Sequence, residues 1–373
     1  MTLKEKIIEK IKAEGPINFE TFMEIALYDR ESGYYMRDNT KIGICGDFYT
    51  SSHLHPIFGA MLGKQMEEMR GLIECQDVFN IVEIGAGMGH LAKDMLEYLR
   101  ERGKLEQFNY YIVEMNPFLK MFQQVLLQEF QSIRWFSTLR ELPPMSGCFL
   151  SNELLDAFPV RLIDMDEELS EIYIAVNNND LEEEKYPCSK EVMEYLREFS
   201  IDLSSMKPCR TEINLKVKDW LNLINDKIKE GFILTIDYGY PAAEYYSEER
   251  NRGTLLCYHQ HRISENPYIN IGQQDITAHV NFSALDKWGT EIGLKTIGFC
   301  PQGTYLISLG IDELITELYE ESPDIFDLAK IKGLIFPEGM GESHKIMIQY
   351  KGISNPQLRG FALRNQQKKL KII

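Results

Sequence analysis

Apolar residues at helical spacing open the chain. Leu3, Ile7, Ile8 and Ile11 share one face and predict a helix over 4–13, broken at Gly15-Pro16. Phe19, Phe22, Met23, Ala26 and Leu27 form the stripe of a second amphipathic helix, and a third is expected to start near Pro56. From Val78 the pattern becomes strand, helix, strand, helix, strand: 78–84, about 90–103, 110–114, about 117–130 and 133–136. This alternation predicts a mostly parallel sheet with right-handed crossovers and helices on both faces. A fourth strand, 148–151, feeds Asn152-Glu153-Leu154-Leu155-Asp156, and a fifth, 232–236, ends at Asp237-Tyr238-Gly239.

The alternation lapses between about 160 and 215, where 161–177 reads as strands and 177–184 as an acidic turn or loop, so an insertion is expected there. Helical patterns follow over 190–199 and 214–229. Residues 240–280 are rich in Gly, Pro, Asn, Tyr and His and read as a lid or binding loop. A helix near 282–293, a strand near 295–300, further helices to about 332 and a last strand, 345–350, complete the pattern. The expected organisation is therefore α/β. An N-terminal helical region with a cofactor-covering loop (1–70) precedes the first part of the core (71–160) and an inserted substrate region (161–215). The second part of the core (216–350) includes the lid, and a tail (351–373) follows.

Composition narrows the partners. The chain has 373 residues, 44% of them apolar, enough for a large core. Its net charge of −17 opposes a phosphate backbone, which argues against nucleic acid and weakly favours a cationic partner. No apolar run approaches the roughly 18 residues a membrane span needs, and the start is charged and polar, so no membrane association is expected. Cysteines at 45, 75, 148, 188, 209, 257 and 300 form no C-x-x-C pair, which predicts reduced thiols and a cytoplasmic protein. The pairs His53/His55 and His259/His261 lack clustered co-ligands, so no metal is expected. A homodimer is compatible with all of this.

The chemistry concentrates where the first strand of the alternation ends. Val82-Glu83-Ile84-Gly85-Ala86-Gly87-Met88-Gly89-His90 runs from a strand through three alternating glycines into a helix. Such a turn lets backbone N–H groups approach a ligand at the positive end of the helix, although it also serves plain close packing. A dinucleotide fingerprint would place its third glycine at position 90, where this chain has His90, which disfavours a nicotinamide enzyme. The pattern resembles motif I of class I S-adenosylmethionine methyltransferases, with Glu83 suited to the cationic methionine end of that ligand. Glu114 ends the next strand, where such folds place an acid for the ribose hydroxyls. The block Gly46-Asp47-Phe48-Tyr49-Thr50-Ser51-Ser52 either closes over a ligand or caps a turn. Asp47, Thr50 and Ser51, with Asn152, join the expected cofactor contacts.

Several further blocks extend the resemblance along nearly the whole chain. They include Gly33-Tyr34-Tyr35, Asn152 to Val160, Asp237-Tyr238-Gly239, Gly253-Thr254-Leu255, Asp275 to Phe282 and Gly339-Met340-Gly341-Glu342. With them the chain resembles the MidA-like family, whose mitochondrial members methylate an arginine of a respiratory complex I subunit and assist its assembly. The resemblance implies a class I methyltransferase, Rossmann-like fold that uses S-adenosyl-L-methionine to methylate arginine side chains of a protein. Ser343-His344 and Asn281 depart from the Arg-Phe-like pair and the Asp expected there, at positions where the substrate could be touched.

An arginine nucleophile is permanently protonated and delocalised, so carboxylates must hold it and receive its proton. Glu153 and Asp156, spaced i and i+3, are the leading pair, and the same spacing also suits a helix N-terminal acid and a turn residue. Asp237 serves either as their partner or as a turn cap. His259, His261 and His279 offer a proton relay near neutral pH, and Tyr238 and Tyr258 are candidates to wall the pocket. Two other functions share the same cofactor half: methylation of a small molecule or peptide natural product, and a non-catalytic, cofactor-binding assembly factor.

Overall fold

A computed structural model describes residues 1–37, 51–73, 78–319 and 325–371. Seven strands form the main path of the central sheet: β1 (Phe79–Ile84), β2 (Phe108–Val113), β3 (Ile133–Phe136), β4 (Met145–Asn152), β5 (Ile228–Tyr240), β6 (Lys295–Pro301) and β7 (His344–Lys351), with the short strand Val280–Asn281 paired to the end of β5. They lie in the order β3-β2-β1-β4-β5-β7-β6, parallel except β7, which runs antiparallel to both neighbours. The parallel strands read as continuous apolar runs because both faces are covered. On one face, helices Ile57–Leu72 and His90–Glu101 bring Phe58, Met61, Leu91 and Leu96 onto Ile81, Tyr110, Leu150 and Leu234. On the other, helices Lys216–Lys227 and Phe282–Glu291 bring Trp220, Leu221 and Leu285 onto Val82, Phe149 and Ile233. This is the mostly parallel α/β sheet expected from the alternation, arranged as the resemblance implies, with β1 and β4 as the two strands between which the order reverses. In open α/β sheets that reversal opens a crevice at the carboxyl ends of the strands.

A second body is built on the insertion. Strands Arg161–Met165, Leu169–Asn177, Asp180–Pro187 and Cys209–Ile213 pair antiparallel, and Ile17–Asn18 joins them through Ile17 opposite Ile174. The N-terminal helices Leu3–Glu14 and Phe19–Tyr28 pack here, with Ile7, Phe19 and Phe22 against Leu162, Ile172 and Ile174.

Two expectations need correction. Residues 177–184 are not an acidic loop: the turn is only Asn178 (φ 50°) and Asn179 (φ 64°), and Asp180 begins a strand. Asparagine tolerates the left-handed conformation that a two-residue hairpin turn demands, and the glutamates that follow occupy a half-exposed strand paired only with Leu169–Asn177. Residues 240–280 likewise contain structure of their own, the three-stranded sheet Leu256–His259, Arg262–Ser264 and Asp275–Thr277, with Cys257 and Ile276 buried against the N-terminal helices. Among the described residues no helix is long and apolar enough to cross a membrane.

Candidate active site

A cavity of about 1030 Å³ lies at the strand-order reversal, roofed by the N-terminal segment and the 240–280 region. Its floor is the glycine turn after β1. Gly85, at φ 71°, donates its N–H to the Val113 carbonyl (2.9 Å), and a Cβ there would come within 2.8 Å of Leu154 Cδ1. Gly89 (φ 84°) is the N-cap of helix His90–Glu101 and, among the described residues, no side chain caps that end. A positive helix end without a side-chain cap and a surface that a side chain would fill fit a polar, nucleotide-like guest.

Two acids flank this cradle. Glu83, 3% exposed, accepts from the Tyr110 hydroxyl (2.8 Å); burial pushes its carboxyl up to about 7, against the pull of that bond. Glu114 accepts from the Asn116 N–H (2.8 Å) and from Gln123 Nε2 (3.2 Å), and burial likewise pushes it up to about 7. Gln123 also donates to the Gly87 carbonyl (2.8 Å) and accepts from Trp135 Nε1 (3.1 Å), so one fully buried amide ties the glycine turn to the second acid. Sequence reasoning missed Gln123. The available signal was a polar residue inside an apolar helical stretch, Pro117–Leu126.

The opposite wall is built from β4, β5 and β7. Glu153 follows β4 in a left-handed conformation (φ 49°), a strain of roughly 1–3 kcal/mol for a residue with a Cβ, held by its N–H on the Ile236 carbonyl (2.8 Å). Glu153 Oε1 accepts from the Ser51 N–H (3.0 Å) and lies 3.6 Å from His344 Nε2. Asp156 sits one short turn later, in Leu155–Ala157, and its Oδ2 accepts from the Tyr238 hydroxyl. Its Oδ1 is buried without a partner among the described residues, and burial pushes this acid up to about 7. Glu153 and Asp156 thus converge on the cavity, but from a strained residue and a 3-10 turn rather than from one face of an α-helix.

The remaining predicted residues divide. Asn152 and His279 line the cavity; burial pushes His279 down to about 4, which keeps its ring neutral at pH 7. His261, Tyr238 and Tyr258 also line it, as do Ser343 and His344, the two positions that depart from the family pattern. Asp237 stands behind the wall. Its Oδ2 accepts from the N–H groups of Leu154 (3.2 Å), Leu155 (2.9 Å) and Asp156 (3.4 Å), and its Oδ1 from that of Tyr238 (2.9 Å). Burial and the Asp156 and Glu153 carboxylates push Asp237 upward while those donors pull it down. It shapes the turn that carries Glu153 and Asp156. His259 is not brought into the cavity; its Nδ1 meets the Gln273 carbonyl at 2.8 Å. Ser51 is buried beside Glu153 and Gln302 and is not among the residues that line the cavity, while Asp47 and Thr50 lie outside the described residues.

The roof went unseen in the sequence. Tyr28 donates to the Ala157 carbonyl (3.0 Å), Tyr35 donates to Asp275 Oδ1 (2.8 Å), and the two rings stack at 5.6 Å. All three side chains line the cavity. Among the described residues no group of three or more His, Cys, Asp or Glu could hold a metal ion.

Residues 61–300, more than half of the chain, match the family described as "Putative S-adenosyl-L-methionine-dependent methyltransferase". The chain belongs to that family. The methyltransferase is similar to the protein arginine methyltransferase NDUFAF7 homolog, mitochondrial, of Drosophila melanogaster, with 25% identity over 94% of this chain and 85% of that protein. The Danio rerio protein arginine methyltransferase NDUFAF7, mitochondrial, shares 25% identity over 91% of this chain and 85% of its own. A Burkholderia thailandensis protein, solved bound to S-adenosyl-homocysteine, superposes with a TM-score of 0.89 at 28% identity, covering 98% of this chain and 96% of that one. The methyltransferase therefore uses S-adenosyl-L-methionine, and the MidA-like resemblance stands. The cytoplasmic expectation is corrected, because the curated relatives are mitochondrial proteins. Unpaired cysteines do not name a compartment.

Proposed function

We propose that this methyltransferase modifies arginine side chains of a protein substrate, and that the two walls of the cavity divide the work. The observation that carries the reading is electrostatic. Asp156 and Asp237 are buried and clustered with Glu153, whose side chain is 8% exposed, and among the described residues no lysine or arginine pairs with any of them. Like charges out of water raise one another's energy, so a site of this kind favours a cationic guest. A guanidinium offers charge and a planar set of N–H donors to carboxylates, which a compact ammonium matches poorly. The names of the relatives, protein arginine methyltransferases, agree with this chemistry.

In this reading the backbone of Gly85, Gly87 and Gly89 cradles the cofactor, Glu83 faces its cationic methionine end, and Glu114 accepts from its ribose hydroxyls, with Asn152 alongside. When bound, the cofactor supplies an already activated methyl group. Glu153 and Asp156 hold the target guanidinium so that one nitrogen lies behind that methyl, and the effect of such alignment is large because the chemistry itself needs little else. Asp156, whose acid sits near neutrality, takes the proton the nitrogen loses as the new C–N bond forms and the methyl–sulfur bond of the cofactor breaks, leaving a neutral thioether. Tyr28 and Tyr35 close the roof and exclude water.

Isotopically labelled methyl donor, incubated with the protein and matched arginine and lysine peptides or a protein extract, tests the proposal. Label should enter arginine residues and be absent from the Arg→Lys peptide. Label recovered only in small molecules, or equal labelling of both peptides, would overturn it. Cofactor binding without transfer to any recovered acceptor would favour a non-catalytic role instead.

A further inference from the structure

Tyr238 stands between the acids and the histidines of the acceptor wall. Its hydroxyl donates to Asp156 Oδ2, its backbone N–H donates to Asp237 Oδ1 (2.9 Å), and its ring meets those of His279 and His344 edge-on, each at 5.3 Å between centroids. The backbone enforces this placement. At Gly239 a Cβ would lie 2.1 Å from the Val280 carbonyl oxygen, so the end of β5 runs tight against Val280–Asn281 and brings His279 alongside Tyr238. For packing alone a phenylalanine would fill the gap between the two imidazoles without a buried hydroxyl that needs a partner. The hydroxyl instead engages one Asp156 oxygen and leaves the other, Oδ1, as a buried acceptor without a partner among the described residues.

We propose that Tyr238 is a positioning residue for methyl transfer: by holding Oδ2 it fixes which Asp156 oxygen is offered to the substrate and keeps that carboxylate available as proton acceptor. The proposal rests on the arginine reading above for its substrate, but the Tyr238–Asp156 coupling is independent of it. Glu153 faces Asp156 as a like charge and raises its acid, His344 lowers it, and Asp156 in turn raises the acid of Asp237. The phenols of Tyr28, Tyr35 and Tyr258 face the same carboxylate. Against burial and Glu153, the Tyr238 hydroxyl is the largest influence that favours the ionised form of Asp156. Its removal therefore moves Asp156 ionisation upward, and each unit costs about tenfold in the carboxylate fraction at a pH below the midpoint.

The test uses the full chain loaded with S-adenosylhomocysteine. Difference infrared titration, with the Asp156 carboxyl band assigned by its loss in Asp156→Asn, should show the midpoint rising by about one unit or more in Tyr238→Phe. Incorporation of 3-fluorotyrosine at position 238, a stronger donor of nearly the same shape, should move it down. With arginine peptide, Tyr238→Phe should lower kcat at pH 7 by about tenfold with the KM for cofactor unchanged, recover much of the rate at pH 9, and add no loss to Asp156→Asn. A folded Tyr238→Phe variant with an unmoved midpoint overturns the role of Tyr238 whatever the substrate. A moved midpoint in a protein that methylates no arginine leaves the coupling standing and removes only the arginine reading.

Discussion

The two walls of the cavity are assembled in opposite ways. The wall proposed for the cofactor draws Glu83, Gly85 and Glu114, backed by Gly89 and Gln123, from β1, β2 and the helices that follow them, a single continuous stretch of chain. The acceptor wall draws Glu153, Tyr238, His279 and His344 from segments scattered over almost two hundred residues, and its roof reaches back to Tyr28 and Tyr35. A local unit presents its ligand groups through backbone geometry, which is hard to alter without abolishing it. A dispersed unit presents side chains, each adjustable while the sheet beneath stays intact, and this is where a family can change substrate while keeping its cofactor.

The contrast can be broken most sharply at Gly85. Gly85→Val puts a branched side chain at φ 71° and against Leu154, and cofactor affinity measured by calorimetry should fall by more than about 100-fold in a protein that still folds. Normal affinity would mean the glycine turn is not the cradle. Glu153→Gln should do the reverse: methyl transfer drops by roughly 10²-fold while cofactor affinity holds, because a positioned charge is lost and little volume changes. Undiminished turnover would remove Glu153 from the acceptor role.

A smaller, graded effect follows from Glu83 and Glu114, both pushed up to about 7. As pH falls through that value they take up protons and cease to accept from the ligand. Cofactor affinity should weaken by up to about tenfold per unit below pH 7 for each group and level off above pH 8. For the free protein the sign is opposite. Acids whose folded values lie above their unfolded ones contribute stability that is complete below about 4.5 and lost as pH rises through 7. An affinity that is flat between pH 6 and pH 8 would show that neither acid meets the cofactor. The mildest change is Gln123→Ala, which unties Gly87 from Glu114 and should weaken cofactor binding about fivefold to tenfold with turnover at saturation preserved. A loss of turnover instead would join the two walls more tightly than their construction suggests.

The legibility of the site follows the same division. Strands β1, β2, β4 and β5 stand out because burial on both faces demands unbroken apolar runs, and the glycine turn stands out because its spacing has few other uses. The hairpin Leu169–Asn177 and Asp180–Pro187 was obscured because glutamates on a half-exposed strand look like loop, and only the left-handed pair Asn178-Asn179 marks the turn. Gln123 was hidden for a related reason, since amphipathic spacing says which face is apolar and not what that face meets. His259 and His279 were indistinguishable as local chemistry. One bonds the Gln273 carbonyl within its own loop, and the other is carried to Tyr238 by the pairing of Val280 with Gly239.

By itself, then, the sequence determined the elements, the sheet that they form and the glycine turn proposed to hold the cofactor, because each depends on residues within a few turns of one another. Only the tertiary structure decided which acids share a cavity and which side chains tune them. β4 lies beside β1 because the strand order reverses there, and β7 enters antiparallel beside β5, which carries His344 to Glu153 across nearly two hundred residues of chain. Asp237, read as a candidate catalyst, became the acceptor that shapes the Glu153–Asp156 turn once its four backbone donors closed around it. Such contacts are products of how the chain crosses itself, and a pattern of period 2 or 3.6 carries no record of the crossing.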